Sequence, residues 1–225
     1  MLDFGMNELG WKRLWMPTYY CPEVVDTITA TEIKVCAYPD NPFEKAELPS
    51  MFEPGDVVLI VNFFGLKTAS EYEPLYKAGV AIIEYHSHDP WSQWTQQSSA
   101  DYVVVSLRKT LPISDGGAIW SRVTAPVPQS PPRENCSSPG VFDRLEAILM
   151  KSVYLNGGNI DKNEYLTLFQ NATDTLTQTT SVPNLRIYGM SNFRQLCCTD
   201  FPGKTGGNKG KKTAAFYATK FWLIN

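Results

Sequence analysis

Residues 102–120 read YVVVSLRKTLPISDGGAIW, and the order of their parts indicates two strands joined by a turn that carries a lysine. The apolar run Tyr102–Val105 is typical of a strand buried on both faces. Lys109 follows in the turn, and a glycine pair at 116 and 117 opens a second apolar run. A lysine desolvated in such a turn can act as an amine nucleophile, for instance toward an aldehyde cofactor. The residues alone also allow, and favour, an exposed lysine beside Arg108 at the end of a strand.

Comparable apolar runs recur through the first 125 residues and alternate with helix signals. Helix signals cover Pro22–Thr29 and Glu71–Ala78, while strand signals lie around residues 13, 33, 58, 81, 103 and 118. Strands separated by short helices favour an α/β fold with a mainly parallel sheet and helices on both faces.

The character of the chain changes after Ala125. A proline-rich stretch follows, which cannot hold regular helix or sheet. Helical stripes then return at Val141–Tyr154 and Glu164–Leu176. We therefore predict a core at 1–125, a linker at 126–140, a helical extension at 141–200 and a divergent, disordered tail at 201–225.

Composition narrows the classes of function. The formal net charge of −3 gives no bulk attraction to nucleic acid or to anionic lipid. Five cysteines are an odd number without metal-ligand spacing, which favours reduced thiols in a cytoplasmic protein. The apolar runs are far shorter than the roughly 18 residues of a membrane span. We expect no membrane partner, no nucleic-acid partner and no metal.

Four segments together resemble one enzyme family. The lysine segment has Asp115-Gly116-Gly117-Ala118-Ile119 at the family spacing from Lys109. The other three segments are Leu14–Cys21, Asp56–Gly65 and Ile82–Asp89. In this order, over about half of the chain, they are similar to the DegT/DnrJ/EryC1/StrS (sugar) aminotransferases. These are fold-type I enzymes that depend on pyridoxal 5'-phosphate (PLP), and the resemblance implies their large-domain fold, with an incomplete C-terminal part here.

The resemblance implies a set of site residues. Lys109 is implied to be the catalytic lysine that binds the cofactor covalently. The implied cofactor contacts are Ser106 near the phosphate, His88 near the phenolic oxygen, Tyr85 near the pyridine nitrogen, Tyr20 as a stacking ring and Asn62 in a loop below the cofactor.

Departures from the family pattern concern both the site and the ends of the chain. Tyr85 stands where relatives place an aspartate, and a phenol with a pKa of about 10 cannot hold a pyridinium as a carboxylate does. Glu84 should point to the opposite face of the strand, Asp89 reaches the ring only if its turn folds back, and His86 is expected to be exposed. The turn that binds the cofactor phosphate and the small C-terminal domain are missing, so we expect a chain shortened at both ends.

Two functions remain open from the sequence. The resemblance implies an aminotransferase that moves an amino group from an amino acid to a keto-sugar nucleotide or a similar carbonyl compound, as a homodimer. The alternative is a non-catalytic remnant that acts as a binding or subunit-pairing module. Tyr85 and the missing segments make activity doubtful, whereas the intact lysine segment supports it.

Overall fold

The computed structural model describes residues 1–114, 116–121, 123, 125–128, 139–180 and 221–222, with the backbone alone at 139, 176–180 and 221–222. The chain divides into two compact units, Met1–Val105 with Ile119–Gln129 and Ser106–Ala118 with Ser130–Asn225. The boundaries that we predicted at 125, 140 and 200 stay predictions. Most of the linker, Asp115 and all but two residues of the tail lie outside the described residues.

The first unit alternates strands and helices. Its elements are α1 (Leu2–Leu9), β1 (Arg13–Pro17), α2 (Pro22–Thr29), β2 (Lys34–Tyr38), β3 (Asp56–Val61), α3 (Glu73–Ala78), β4 (Ala81–Tyr85), α4 (Gln93–Gln97) and β5 (Tyr102–Ser106). The strands are ordered β2-β1-β3-β4-β5, and each of these neighbouring pairs is parallel. The prediction of a mainly parallel α/β sheet is therefore confirmed.

The central strands owe their position to their composition. All six residues of β3 and all five of β5 are buried, as expected for apolar strands covered on both faces. One core layer is formed by side chains such as Val58, Ile60, Tyr72, Leu75 and Ile82. Parallel strands place their carboxyl ends at one edge of the sheet, so the segments that follow β1, β3 and β4 come together there.

An ion pair connects the amino ends of β1 and β3. The Arg13 guanidinium donates through Nε and Nη2 to the two carboxylate oxygens of Asp56, at 2.6 Å each. The Trp15 indole donates to Asp56 at 3.1 Å. These hydrogen bonds, led by that from Arg13, lower the pKa of Asp56 to about 2.

The second unit contains a short strand pair and two long helices. Strand β6 (Gly117–Trp120) begins in this unit and ends in the first, and β7 (Phe221–Trp222) pairs antiparallel with its Gly117 and Ala118. Helices α5 (Pro139–Leu155) and α6 (Lys162–Thr180) pack on each other and bury Ala147 and Ala172. Among the described helices, none has the length and apolar character needed to span a membrane.

Candidate functional site

The carboxyl edge of the first unit brings together four of the six predicted site residues. Tyr85 ends β4, Tyr20 follows β1, Asn62 follows β3, and His88 lies three residues beyond β4. Open α/β sheets bind their ligands at this edge, because the loops there are held by buried strands. The sequence prediction placed these four residues in one site, and in the structure they share one edge.

Four aromatic rings, one exposed and three half-buried, lie together at this edge. The Tyr20 and Tyr85 rings meet edge to face, with centroids 6.0 Å apart. Tyr85 meets His88 in the same way at 6.5 Å, and Phe64 stacks on His88 at 4.8 Å with only 13° between the ring planes. We call Tyr20, Phe64, Tyr85 and His88 the ring cluster.

His88 is oriented by the loop that follows β3. The backbone N–H of Phe64 donates to His88 Nδ1 at 3.2 Å. A neutral imidazole that accepts at Nδ1 carries its proton at Nε2. His88 is therefore set up as an Nε2–H donor. Burial raises the pKa of the Tyr20 phenol, with a further contribution from Tyr85, so Tyr20 is also a neutral donor.

Phe64 adopts a backbone conformation that is rare for a bulky residue. Its φ of 53° and ψ of 18° lie in the left-handed region. Phe64 is 55% exposed, so burial in a core does not account for the conformation. Gly65 follows with φ 74°, and a Cβ there would lie 3.3 Å from the Asp89 side chain. Strained residues cluster at ligand sites. The sequence analysis did not identify Phe64; the signal available there was its place directly before a glycine in the loop that follows β3.

The opposite face of β4 carries a buried polar network. Glu84 and His86 are both fully buried, and His86 Nε2 lies 2.8 Å from Glu84 Oε2. Trp94 Nε1 donates to Glu84 Oε1 at 3.0 Å, and the Tyr76 hydroxyl donates to the same oxygen. The prediction that Glu84 points away from the Tyr85 side is confirmed. The expectation that His86 is exposed is wrong, because side chains two residues apart on a strand share a face.

The network also changes the charge state of Glu84. Burial alone would raise the pKa of the Glu84 carboxyl, but hydrogen bonds from His86, Tyr76 and Ser98 outweigh it and lower the pKa. Glu84 is thus an ionised carboxylate directed into the core. It does not serve a ligand on the Tyr85 side.

Lys109 and Ser106 belong to the second unit. Ser106 ends β5 and is 3% exposed, whereas Lys109 ends a one-turn 3₁₀ helix, Leu107–Lys109, and is exposed. The N–H of Leu107 donates to the carbonyl of Gly116 at 2.9 Å, which closes the loop between the two strands. That Lys109 and Ser106 join the ring cluster in one site stays a prediction.

Metal ligands do not gather anywhere in the described part of the chain. Within it, no group of three or more His, Cys, Asp and Glu side chains is placed to hold a metal ion.

Comparisons with known proteins give weak similarities. No family model and no curated protein matches the chain. Among solved structures, it is similar to a serine palmitoyltransferase from S. paucimobilis with bound PLP–myriocin aldimine, at 15% identity and TM-score 0.37 over 49% of this chain and 33% of that one. It is also similar to NtdA from Bacillus subtilis with bound cofactor PMP (16% identity, TM-score 0.39, 52% and 30% coverage). A third similar structure is a sphingosine-1-phosphate lyase from Burkholderia pseudomallei, at 14% identity and TM-score 0.43 over 84% of this chain and 52% of that one.

The chain spans about a third of the length of the first two of these solved chains and about half of the third. Similarity at this level does not assign a family.

Proposed function

We propose that this chain binds PLP and is an aminotransferase-like protein whose own turnover is slow. The observation that carries the proposal is the ring cluster at the carboxyl edge of β1, β3 and β4. The resemblance in sequence puts the cofactor ring against Tyr20, Asn62, Tyr85 and His88, which come from three separate segments of the chain and share this edge.

The residues present fit a flat aromatic ligand. The rings of Tyr20 and Tyr85 offer faces and edges for contact with a planar ring. His88 supplies an Nε2–H that suits a phenolate oxygen, since its Nδ1 is occupied by the Phe64 N–H. PLP, when bound, supplies an electron sink, and the protein supplies orientation and electrostatics.

One contact in the set does not fit rapid transamination. The Tyr85 phenol cannot hold a proton on a pyridine nitrogen as a carboxylate would. Glu84, the adjacent acid, is committed to His86, Trp94 and Tyr76 on the buried face. We therefore assign Tyr85 a role in holding the ring and expect it to slow the proton transfer that an amino-group exchange requires.

Lys109 is the amine that the resemblance assigns to covalent attachment of PLP, with an amino acid as amino donor and a keto-sugar nucleotide or similar carbonyl compound as acceptor. In the structure Lys109 is exposed rather than desolvated, so the resemblance alone supports its assignment. We also propose that the chain forms a homodimer in the cytoplasm. Sedimentation of the purified chain would test whether it is a dimer.

The proposal is tested by trapping PLP on the protein. The purified chain is incubated with PLP and reduced with borohydride, and the modified lysine is identified by peptide mass spectrometry. We expect one equivalent on Lys109, lost in Lys109→Ala and retained in Lys77→Ala, since Lys77 is an exposed lysine paired with Glu73 at 2.7 Å. Label scattered over exposed lysines, with no loss in Lys109→Ala, would contradict it.

The ring cluster is tested separately from the lysine. Tyr20→Ala should weaken PLP retention, while Tyr154→Ala, at a tyrosine that contacts Tyr165 in the second unit, should not. Equal retention by both variants would remove the ring cluster from the proposal.

Tyr85 also favours the second candidate, a non-catalytic module that keeps PLP or a partner subunit but transfers no amino group. The two candidates differ in one measurement. Conversion of bound PLP to the pyridoxamine form by glutamate identifies the enzyme, and stable PLP binding without conversion identifies the module.

A further inference from the structure

Beneath the ring cluster, three buried polar side chains join the carboxyl ends of β3 and β4. Glu84 lies on the core-facing side of β4, while His86 and Asn62 are the first residues after β4 and β3. Asn62 is 2% exposed, and its Nδ2 lies 3.5 Å from His86 Nδ1. The network therefore runs from Glu84 through the imidazole of His86 to the amide of Asn62.

The distances fix which proton each ring nitrogen holds when His86 is neutral. Glu84 is an ionised carboxylate and only accepts, so His86 Nε2 must carry the proton that joins them. Nδ1 is then an acceptor and faces the Asn62 amide nitrogen. At 3.5 Å this second hydrogen bond is long and weak.

Asn62 has an atom that this arrangement leaves unused. Its Oδ1 is buried without a hydrogen-bond partner. A buried carbonyl oxygen without a donor costs free energy, and such atoms in a folded protein call for an explanation. A half-turn of the amide would exchange Oδ1 and Nδ2 and direct Oδ1 at His86 Nδ1.

The groups around the pair hold Glu84 in its ionised form. The groups that face the pair are the Tyr76 hydroxyl from α3, the Trp94 indole from α4 and Ser98, and all three donate to Glu84. Tyr72 stacks on Trp94, and its hydroxyl donates to the Asp40 carboxylate. Asp40 is in turn paired with Lys67, whose Nζ lies 3.1 Å from Asp40 Oδ1. Among the described residues, the His86 imidazole is the one group paired with Glu84 that can take up a positive charge.

We propose that Glu84, His86 and Asn62 form a proton-driven amide switch at the carboxyl ends of β3 and β4. Uptake of one proton at His86 Nδ1 turns the Asn62 amide over, so that Oδ1 accepts the new N–H while Nε2 keeps its bond to Glu84. Asn62 leads into the loop of Phe64, and His86 leads into His88, so the switch lies at the base of both loops. This inference does not depend on the ligand that the ring cluster binds.

The test is a histidine titration by NMR on the full chain. The chain has two histidines, so ring ¹⁵N labelling gives two sets of signals, and His88→Gln assigns them. At high pH we expect His86 to be protonated at Nε2 alone. On acidification, both ring nitrogens should become protonated, and the Asn62 side-chain amide signals should move with the same midpoint.

Two substitutions with opposite effects sharpen the test. Asn62→Asp gives the Nδ1–H an ionised acceptor and should raise the His86 midpoint by about one pH unit or more. Asn62→Leu leaves that N–H without an acceptor and should lower the midpoint. Asn156→Asp, at an exposed asparagine that donates to the Ser152 carbonyl, is the control and should leave the midpoint unchanged.

Three results would overturn the proposal, and the first two need no substitution of Asn62. These are a neutral His86 protonated at Nδ1, an Asn62 amide that does not respond while His86 titrates, and midpoint shifts of the same sign in both Asn62 variants.

Discussion

Replacing Phe64 by glycine should yield a more stable protein than replacing it by alanine. Both substitutions remove the ring and its stack on His88, so the difference between them isolates the backbone. At an ordinary position glycine costs about 0.4–1 kcal/mol relative to alanine through the unfolded chain. At a φ of 53° the order reverses, because a left-handed backbone costs a residue with a Cβ roughly 1–2 kcal/mol. We expect a net preference for glycine of about 1 kcal/mol.

The free energy of unfolding of the two variants is measured by urea denaturation, and melting should separate them by about 2–4 °C for a chain of this size. Leu66 provides a matched control two residues away. It is similarly exposed, at 58%, but has an ordinary φ of −90°, so Leu66→Ala should be more stable than Leu66→Gly. If alanine is favoured at both positions, Phe64 is not strained and the reasoning fails.

Three further predictions concern the edge, the sheet ends and the core. Tyr85→Asp should speed any conversion of bound PLP by glutamate, up to about 100-fold, because it places a carboxylate near the pyridine nitrogen. Stopped-flow absorbance at saturating PLP measures the conversion rate. Equal rates in both proteins would show that Tyr85 does not slow the reaction. Asp56 has a pKa of about 2, below its unfolded value, so the stability from its pair with Arg13 is present above about pH 4 and lost as the pH falls toward 2. Arg13→Gln should flatten this part of the plot of unfolding free energy against pH. An unaltered plot would contradict the pairing. Trp94→Phe removes one donor from the buried carboxylate of Glu84 and should cost about 2 kcal/mol in urea denaturation; a cost below about 0.5 kcal/mol would mean that the hydrogen bond contributes little.

Strands were the most predictable part of this molecule. The apolar runs of β3 and β5 are long, rich in valine and bounded by polar residues, and both are buried strands in the structure. Their parallel order follows from the helices between them. The resemblance placed Tyr20, Asn62, Tyr85 and His88 in one site; the structure has them at one edge of the sheet, and that they bind one ligand stays a prediction.

Features that depend on pairing across the fold were not accessible from the sequence. The burial of His86 requires a carboxylate two residues earlier on the same face and a tryptophan from α4 beside it. Helix α4 was also missed, since its five residues are mostly polar and it is held by a cap in which Ser92 accepts from the Thr95 N–H. The left-handed turn at Phe64 goes against the preference of its own residue type, so local propensity could not predict it.

The first unit is not contiguous in the chain, and this bears on how it is made. Translation reaches Val105 with all four residues of the ring cluster already synthesised, but Ile119–Gln129 is still to come. Until then β5 has no neighbour on the side that β6 takes in the sheet order. An open strand edge invites pairing with other chains. A nascent chain arrested before residue 119 would therefore present an open edge at β5 to other chains, although it contains every residue of the ring cluster.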